Sequence, residues 1–131
     1  MKVAFFSTLF LNAILSISVV AAESLTLNPG SLLEELRTGT VTIKKDQLYT
    51  DQGEKVELKL MKQNEGEYGT RNWYYEVLED NVHFCGDGSK ADYLGVMDNE
   101  SSIVILAYQD RVNLETKKKY VTECGDYFYT H

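Results

Sequence analysis

The sequence predicts a mainly β protein, either a small antiparallel β-sandwich or a barrel, with one short N-terminal helix and one disulfide. From residue 40 onward, apolar side chains alternate with polar ones, as at Val41 and Ile43 and again at Val56, Leu58 and Leu60. Turn-forming residues interrupt this alternation at short intervals, which is typical of many short strands joined by tight connections. Aromatic and β-branched residues, which favour strands, fill the runs between the turns.

The first 22 residues have the pattern of a secretory signal peptide. Lys2 provides a positive start, residues 3–20 are mostly apolar, and Ala22 is a small residue before an expected cleavage site. A membrane anchor is the alternative, but polar residues interrupt the apolar run and no basic cluster follows it. We therefore expect a secreted protein with no membrane partner after signal removal, divided into an N-terminal segment at residues 23–39 and a β-sandwich domain at residues 40–131.

One short helix is predicted near residues 32–37. A turn at residues 28–30 precedes it, and Ser31 stands three residues before Glu34, which is the spacing of a capping box. Gly39 then provides a helix stop.

Strands are predicted along the rest of the chain, and turn residues such as glycine, asparagine and aspartate separate them. The expected strands are residues 40–44, 55–61, 71–80, 82–85, 93–97, 103–108, 111–115, 120–124 and 127–129. In the strand of residues 71–80, alternation places Trp73, Tyr75 and Val77 on one face.

Cys85 and Cys124 are predicted to form a disulfide, because an exported chain enters an oxidising compartment. Closing a loop of about forty residues would stabilise the fold by roughly 4 kcal/mol through the entropy of the unfolded chain. The alternative is a catalytic thiol, which needs a nearby base, and the sequence has two histidines, His83 and His131.

Short motifs for catalysis or metal binding are absent from the sequence. It contains no GxSxG, HExxH, CxxC or P-loop pattern, and residues 80–87 lack the alternating oxygen ligands and final glutamate of a calcium loop. We therefore expect no catalytic residue, no metal and no cofactor. Asn99 begins an Asn-Glu-Ser sequon in a predicted turn and is a candidate N-glycosylation site.

The charge balance argues against a nucleic-acid partner. The chain has 13 basic and 20 acidic side chains, and loss of Lys2 with the signal peptide takes the formal net charge from −7 to −8. Nucleic-acid binding depends on lysine and arginine side chains that neutralise phosphates, so an acidic domain is repelled by a phosphate backbone.

A ribonuclease-like hydrolase is nevertheless a minority hypothesis, since such enzymes are small and rich in β structure. Its base, acid and phosphate-binding cation would come from His83, Glu76 and Arg71. Residues 71 and 83 share one strand parity and residue 76 has the other, so a common site would need a bulge or a different strand pairing. His83 is then better interpreted as an ordinary strand histidine.

Aromatic residues are too numerous for the core of a domain of this size. Those of the predicted strands are Trp73, Tyr74, Tyr75, Tyr93, Tyr108, Tyr120, Tyr127, Phe128 and Tyr129. Consecutive aromatics occupy both faces of a strand, and tyrosine and tryptophan are common anchors of protein interfaces. The sequence thus predicts a protein-binding surface that includes Trp73, Tyr74, Tyr75, Tyr127 and Tyr129. A scattered distribution of surface aromatics is the alternative.

Residues 49–69 carry a resemblance to a known family. The run contains Tyr49, Asp51, Gly53 and Glu54, then an alternating strand, Lys62, Glu65-Gly66 and Gly69. It is similar to the first hairpin of the PWL host-specificity effectors of blast fungi, which belong to the MAX effectors. The resemblance implies a small two-sheet β-sandwich and a non-enzymatic virulence protein that binds a host protein, within the host-cell cytoplasm if it is delivered there. Both cysteines lie in the C-terminal half, which departs from that family.

Three hypotheses for function follow. The first is a secreted, effector-like protein that acts by binding a host protein. The second is a lipocalin-like carrier of a small apolar ligand, although such carriers usually have longer strands and a G-x-W motif that is absent here. The third is the ribonuclease-like hydrolase. A large internal cavity favours the second hypothesis, and a shared cleft for Glu76, His83 and Arg71 favours the third.

Overall fold

A computed structural model describes residues 24–66 and 69–131. The predicted signal peptide at residues 1–22 lies outside the described residues. Within them, eight antiparallel strands follow one another around a closed barrel, with one short helix between the first two strands. The strands are β1 (Ser24–Pro29), β2 (Val41–Lys44), β3 (Gln47–Thr50), β4 (Lys55–Glu65), β5 (Arg71–Asp80), β6 (Tyr93–Asp98), β7 (Ile103–Val112) and β8 (Lys119–Thr130), and the helix is α1 (Leu32–Arg37). The helix confirms the prediction for residues 32–37.

Strand β1 closes the barrel. Its first part pairs with β2, from Ser24 opposite Lys44 onward, and its last two residues pair with the end of β8, Pro29 opposite Tyr129. Because every strand then has a neighbour on both sides, the mainly β prediction is realised as a barrel rather than as two stacked sheets. Residues 24–29 of the predicted N-terminal segment thus form a strand of the same barrel.

The core is built from one parity of each strand. On β7, Ile103, Ile105 and Ala107 are fully buried, while the intervening side chains face outward. The buried apolar side chains from all eight described strands form one cluster inside the barrel with those of the β5–β6 loop. Burial of this cluster supplies most of the folding free energy, at about 25 cal/mol per Å² of apolar surface.

The β5–β6 loop, residues 81–92, corrects one sequence prediction. Residues 82–85 were expected to form a strand, but they form an irregular loop in which His83 has a φ of +63°. The buried carboxylate of Asp80 accepts the hydrogen bonds that a neighbouring strand would otherwise accept. Backbone N–H groups of Val82 and His83 donate to its Oδ1 at 2.9 and 2.7 Å, and those of Phe84 and Ala91 donate to its Oδ2 at 2.9 Å.

The disulfide between Cys85 and Cys124 is confirmed, with the two Cα atoms 4.8 Å apart. Cys124 is the extra residue of a β-bulge, because Ala107 pairs with Gly125 and Tyr108 with Glu123. Gly125 allows the loop to pack against β8, since a Cβ atom there would lie 2.6 Å from the carbonyl oxygen of Phe84. The bond therefore fastens the β5–β6 loop to β8.

Strands β7 and β8 are longer than the sequence predicts. Turns were expected at residues 109–110 and 125–126, but both strands continue through these positions. Leu106 pairs with Asp126 and Gln109 pairs with Thr122, so the β7–β8 ladder continues through both positions, with the bulge at Cys124 between them. The β7–β8 hairpin consequently extends beyond the barrel, and its far end is exposed.

Asp80→Asn should destabilise the protein. The substitution replaces one carboxylate oxygen by an NH2 group, which cannot accept the hydrogen bonds of the backbone N–H groups that face it. We expect a loss of about 3 kcal/mol in the free energy of unfolding, measured by urea denaturation. Asp87→Asn is the matched control, since Asp87 lies in the same loop and is exposed. Equal stability of the two variants would contradict the role given to Asp80.

Candidate functional site

Strand β5 divides the three consecutive aromatics of the predicted binding surface between the two sides of the barrel wall. Tyr75 is buried in the core, and Trp73 is half-buried and packs against the core from the same side. Desolvation by burial raises the pKa of Tyr75 to about 12. Tyr74, with the opposite parity, lies on the outside of the barrel. Of these three residues, the structure therefore presents Tyr74 outward.

Strand β8 buries both of its predicted binding residues. Tyr127 and Tyr129 are 2% and 1% exposed. The Tyr127 hydroxyl donates a hydrogen bond to the carbonyl oxygen of Phe84. The rings of Phe84 and Tyr127 pack edge to face, with their centroids 5.3 Å apart. The Tyr129 hydroxyl lies 2.9 Å from that of Thr38, and burial raises the pKa of Tyr129 to about 12. Both residues hold the fold together and leave no surface for a partner.

An apolar outer face covers the outside of strands β5 to β8. The strand register aligns three rows across it, and the central row is Tyr74, Gly95, Leu106 and Asp126. We call the apolar members of the three rows the outer face, and they are Tyr74, Tyr93, Met97, Val104, Leu106, Tyr108 and Phe128. Most of them are half-buried by their neighbours, and Phe128 is 50% exposed. A contiguous apolar face on a barrel whose core is already complete is typical of an interaction surface.

An apolar run in the sequence indicates this surface. Residues 103–108 are apolar at both parities, and Ile103, Ile105 and Ala107 fill the interior. Val104 and Leu106 must then face outward, which marks β7 as a strand with two apolar faces. Phe128 faces outward for the same reason, because it alternates with the two buried tyrosines of β8.

Gly95 lies at the centre of the outer face. A Cβ atom at this position would lie 3.4 Å from atoms of the Tyr74 ring and 3.5 Å from an atom of the Tyr108 ring. The two rings therefore close over the glycine from neighbouring strands. Tyr93 pairs directly with Tyr108, so three tyrosine side chains lie side by side.

Exposed carboxylates border these tyrosines. Glu76 pairs with Tyr93, and Glu123 pairs with Tyr108, each in register across one strand boundary. The hydroxyl of Tyr93 donates to Asp110 Oδ2 at 3.1 Å, and this bond raises the pKa of Tyr93. Desolvation by burial, followed by the charge of Glu123, raises the pKa of Tyr108. The end of the outer face at the row of Glu76, Tyr93, Tyr108 and Glu123 is consequently acidic.

Helix α1 presents a second apolar surface. Leu32, Leu33 and Leu36 are between 60% and 71% exposed, whereas Glu34 on the opposite side of the helix is buried. The Glu34 carboxylate accepts hydrogen bonds from the Ser31 hydroxyl and from the backbone N–H of Phe128, the latter at 3.1 Å. Burial raises the pKa of Glu34, but these hydrogen bonds outweigh burial and leave the pKa lowered. The helix is therefore fastened to β8 by its polar side and leaves its leucines outward.

A cleft of about 360 Å³ at one end of the barrel collects charged side chains. Gly69, Arg71, Asp98, Glu100 and His131 line it. The buried Asp98 accepts hydrogen bonds from Arg71 at 2.8 Å and from His131 at 2.9 Å. Burial raises the pKa of Asp98, and its hydrogen bond with Arg71, among others, outweighs this and leaves the pKa lowered. Since Asp98 already bonds to the side chains of both Arg71 and His131, the cleft is a structural cluster that joins β5, β6 and the C-terminus.

The hydrolase residues are not brought together. Arg71 is the first residue of β5, and His83 follows the opposite end of this strand. At 3.3 Å per residue, the strand spans about 30 Å. Glu76 faces outward between them, and His83 Nδ1 lies 2.8 Å from the carbonyl oxygen of Gly88. Within the described ranges, no group of three or more histidine, cysteine, aspartate or glutamate side chains is placed to hold a metal ion.

Asn99 lies in the exposed turn between β6 and β7. Its Oδ1 accepts hydrogen bonds from the backbone N–H and the hydroxyl of Ser102, both at 3.0 Å. The turn is accessible, and glycosylation of Asn99 stays a prediction.

No helix among the residues that the structure describes is long and apolar enough to span a membrane. No protein-family model, curated protein or solved structure matches the chain. The geometry of its surfaces therefore carries the functional argument.

Trp73→Ala and Tyr74→Ala should differ in their effect on stability, because Trp73 lies on the core side of β5 and Tyr74 on its outer side. Loss of the Trp73 ring removes core packing, so we expect the free energy of unfolding to fall by about 3 kcal/mol. Tyr74→Ala should cost about 1 kcal/mol, because its ring lies outside the barrel. Thermal denaturation followed by circular dichroism measures both, and a greater loss for Tyr74→Ala would reverse the assignment of the two sides.

Proposed function

We propose that the processed chain is a secreted, non-enzymatic protein that acts by binding a host protein, and that the outer face of strands β5 to β8 is the surface it uses. The observation that carries this proposal is the second apolar side of β7. Val104, Leu106 and Tyr108 face outward although the inward side chains of the same strand complete the core. Leaving such side chains in water is unfavourable unless a partner covers them.

The composition of the outer face also supports a protein partner. Aromatic residues and methionine are enriched at the centres of protein interfaces, where they bury a large area at a low cost in conformational entropy. Three tyrosines, Phe128 and Met97 are present here. Strands β6 and β7, in the middle of this face, are paired along both sides, which provides a rigid platform.

The rival functions find less support. A carrier of an apolar ligand needs an enclosed cavity, whereas the barrel interior is occupied by a continuous cluster of side chains. Two surface clefts formed by described residues are lined largely by polar side chains, Arg71 and Asp98 among them in one and Glu35 and Asp51 in the other. A hydrolase of the expected kind needs Glu76, His83 and Arg71 in one place, and their positions along and beyond β5 separate them.

The secreted and host-directed parts of the proposal rest on the sequence. The N-terminal 22 residues have a signal-peptide pattern, and residues 49–69 resemble the PWL effectors. In the structure, part of that run forms the β3–β4 hairpin, with Tyr49 opposite Lys55. The hairpin lies outside the outer face, so the resemblance and the proposed binding surface are independent of each other.

Phe128→Ser should weaken partner binding by about tenfold or more while leaving the fold intact, because its ring is half exposed and contributes to the outer face. Affinity capture from candidate host tissue with immobilised residues 23–131 identifies proteins, and titration calorimetry with each recovered protein measures the affinity.

Leu114→Ser is the matched control, since Leu114 is 83% exposed at the tip of the β7–β8 hairpin and lies outside the outer face. A supporting result is a protein retained by the wild type and by Leu114→Ser and lost by Phe128→Ser. Equal binding by all three forms would contradict the outer face as the partner surface, and turnover of a substrate by the purified protein would contradict a non-enzymatic function.

A further inference from the structure

We propose that the tyrosine cluster of the outer face receives an arginine side chain of the partner, so that the partner presents a basic segment set in an apolar surface. This inference rests on the proposed function and names the chemistry of the partner. The cluster consists of Tyr74, Tyr93 and Tyr108, together with Gly95 beneath them and the carboxylates of Glu123 and Asp126 beside them.

The first argument is the arrangement of the rings. Tyr74 and Tyr108 come from strands on either side of β6 and approach the same point above Gly95, at 3.4 and 3.5 Å from the position of its absent Cβ. Tyr93 lies opposite Tyr108 in the register. Neighbouring aromatic rings on an open surface attract cations through the negative charge of the ring faces.

The second argument is the charge beside the rings. Glu123 pairs with Tyr108, and Asp126 pairs with Leu106 in the row that contains Gly95. Both carboxylates are exposed, and among the residues that the structure describes neither forms a salt bridge. A cation placed over the Tyr108 ring would therefore meet unpaired negative charge at the β8 side of the cluster.

The third argument is a contrast with the other aromatic rings of the protein. The guanidinium of Arg37 lies 5.2 Å from the centroid of Tyr127, and that of Arg71 lies 5.3 Å from the centroid of Trp73. Over the described part of the chain, no such cation lies on Tyr74, Tyr93 or Tyr108. Lys59 and Lys62 lie at the β4 side in register with Glu76 and Tyr74, so the acidic side is the one next to β8.

An arginine fits this site better than a lysine. A planar guanidinium can stack on a tyrosine ring while its N–H groups bond to a carboxylate at the ring edge, and it loses less hydration than an ammonium group does. The net charge of −8 expected for the mature chain also attracts a basic partner over distances of about a Debye length, roughly 8 Å at physiological ionic strength. The acidic composition and the local site thus favour the same partner chemistry.

The test is a titration of the folded, disulfide-bonded protein, residues 23–131, with N-acetyl-arginine amide, followed by two-dimensional NMR. We expect progressive shifts of the Gly95 amide and of the ring signals of Tyr74 and Tyr108. N-acetyl-norleucine amide, which is apolar and uncharged, should shift them much less. Equal shifts with the two probes would overturn the site, because the surface would then bind any apolar chain.

A pair of charge-matched variants makes the result specific. Glu123→Gln with Asp126→Asn removes the carboxylates of the cluster, and we expect the half-maximal probe concentration to rise by about threefold or more. Glu35→Gln with Glu115→Gln removes two exposed carboxylates elsewhere and should leave the titration unchanged. If the two double variants bind the probe equally, the attraction is a general effect of net charge and the proposed site is wrong.

The same variants separate this inference from the proposed function. Suppose that Phe128→Ser loses the captured partner while the Glu123/Asp126 double variant retains it and the probe does not bind. The arginine site is then overturned and the outer face remains the binding surface. If the probe binds as expected but Phe128→Ser still captures the partner, the cluster binds arginine, but the outer face is overturned as the partner surface and the partner's arginine is overturned as the occupant of the cluster.

Discussion

The closure of the barrel by β1 is the constraint on which the rest of the structure depends. Four of its six residues pair with β2 along one edge, and the last two pair with the end of β8 along the other. Closure makes one parity of the strands an interior, and the apolar side chains of that parity fill it. The aromatic and aliphatic side chains of the other parity on β5 to β8 then have no place in the core, and this surplus creates the outer face.

The end of the barrel beneath the β5–β6 loop is held by polar contacts that also explain why two tyrosines are unavailable for binding. Arg37 donates hydrogen bonds to the carbonyl oxygens of His83 and Cys85 at 2.9 and 2.8 Å, which ties helix α1 to the loop. The disulfide ties the loop to β8, and Tyr127 bonds to Phe84 beneath it. Alternation along β8 then turns Phe128 outward, so the packing that closes this end also exposes one member of the outer face.

Local patterns predicted local structure well. The Ser31–Glu34 spacing and Gly39 placed the helix at residues 32–37, and the alternation in residues 71–80 placed Trp73 and Tyr75 on one face, which is the core side in the structure. The closing pair of β1 and β8 joins residues about a hundred positions apart, which no local pattern encodes. Residues 82–85 have strand composition but became a loop because Asp80 took over their backbone hydrogen bonds. Which aromatics face outward depends on the same long-range pairing, and this explains why three of the five predicted binding residues are buried and why Leu106 and Phe128 of the outer face were not among the five.

We propose that a partner covers the outer face, which is the side of the sheet that barrel closure turns away from the core. Hydroxyl-radical footprinting of the protein alone and in complex with a captured partner measures this directly, because methionine, tyrosine, phenylalanine and leucine side chains all react when they are accessible. The account predicts that Met97, Tyr108 and Phe128 lose most of their reactivity in the complex while Leu32 and Leu36 of α1 keep theirs. Protection of the α1 leucines with unchanged reactivity of Met97, Tyr108 and Phe128 would contradict it.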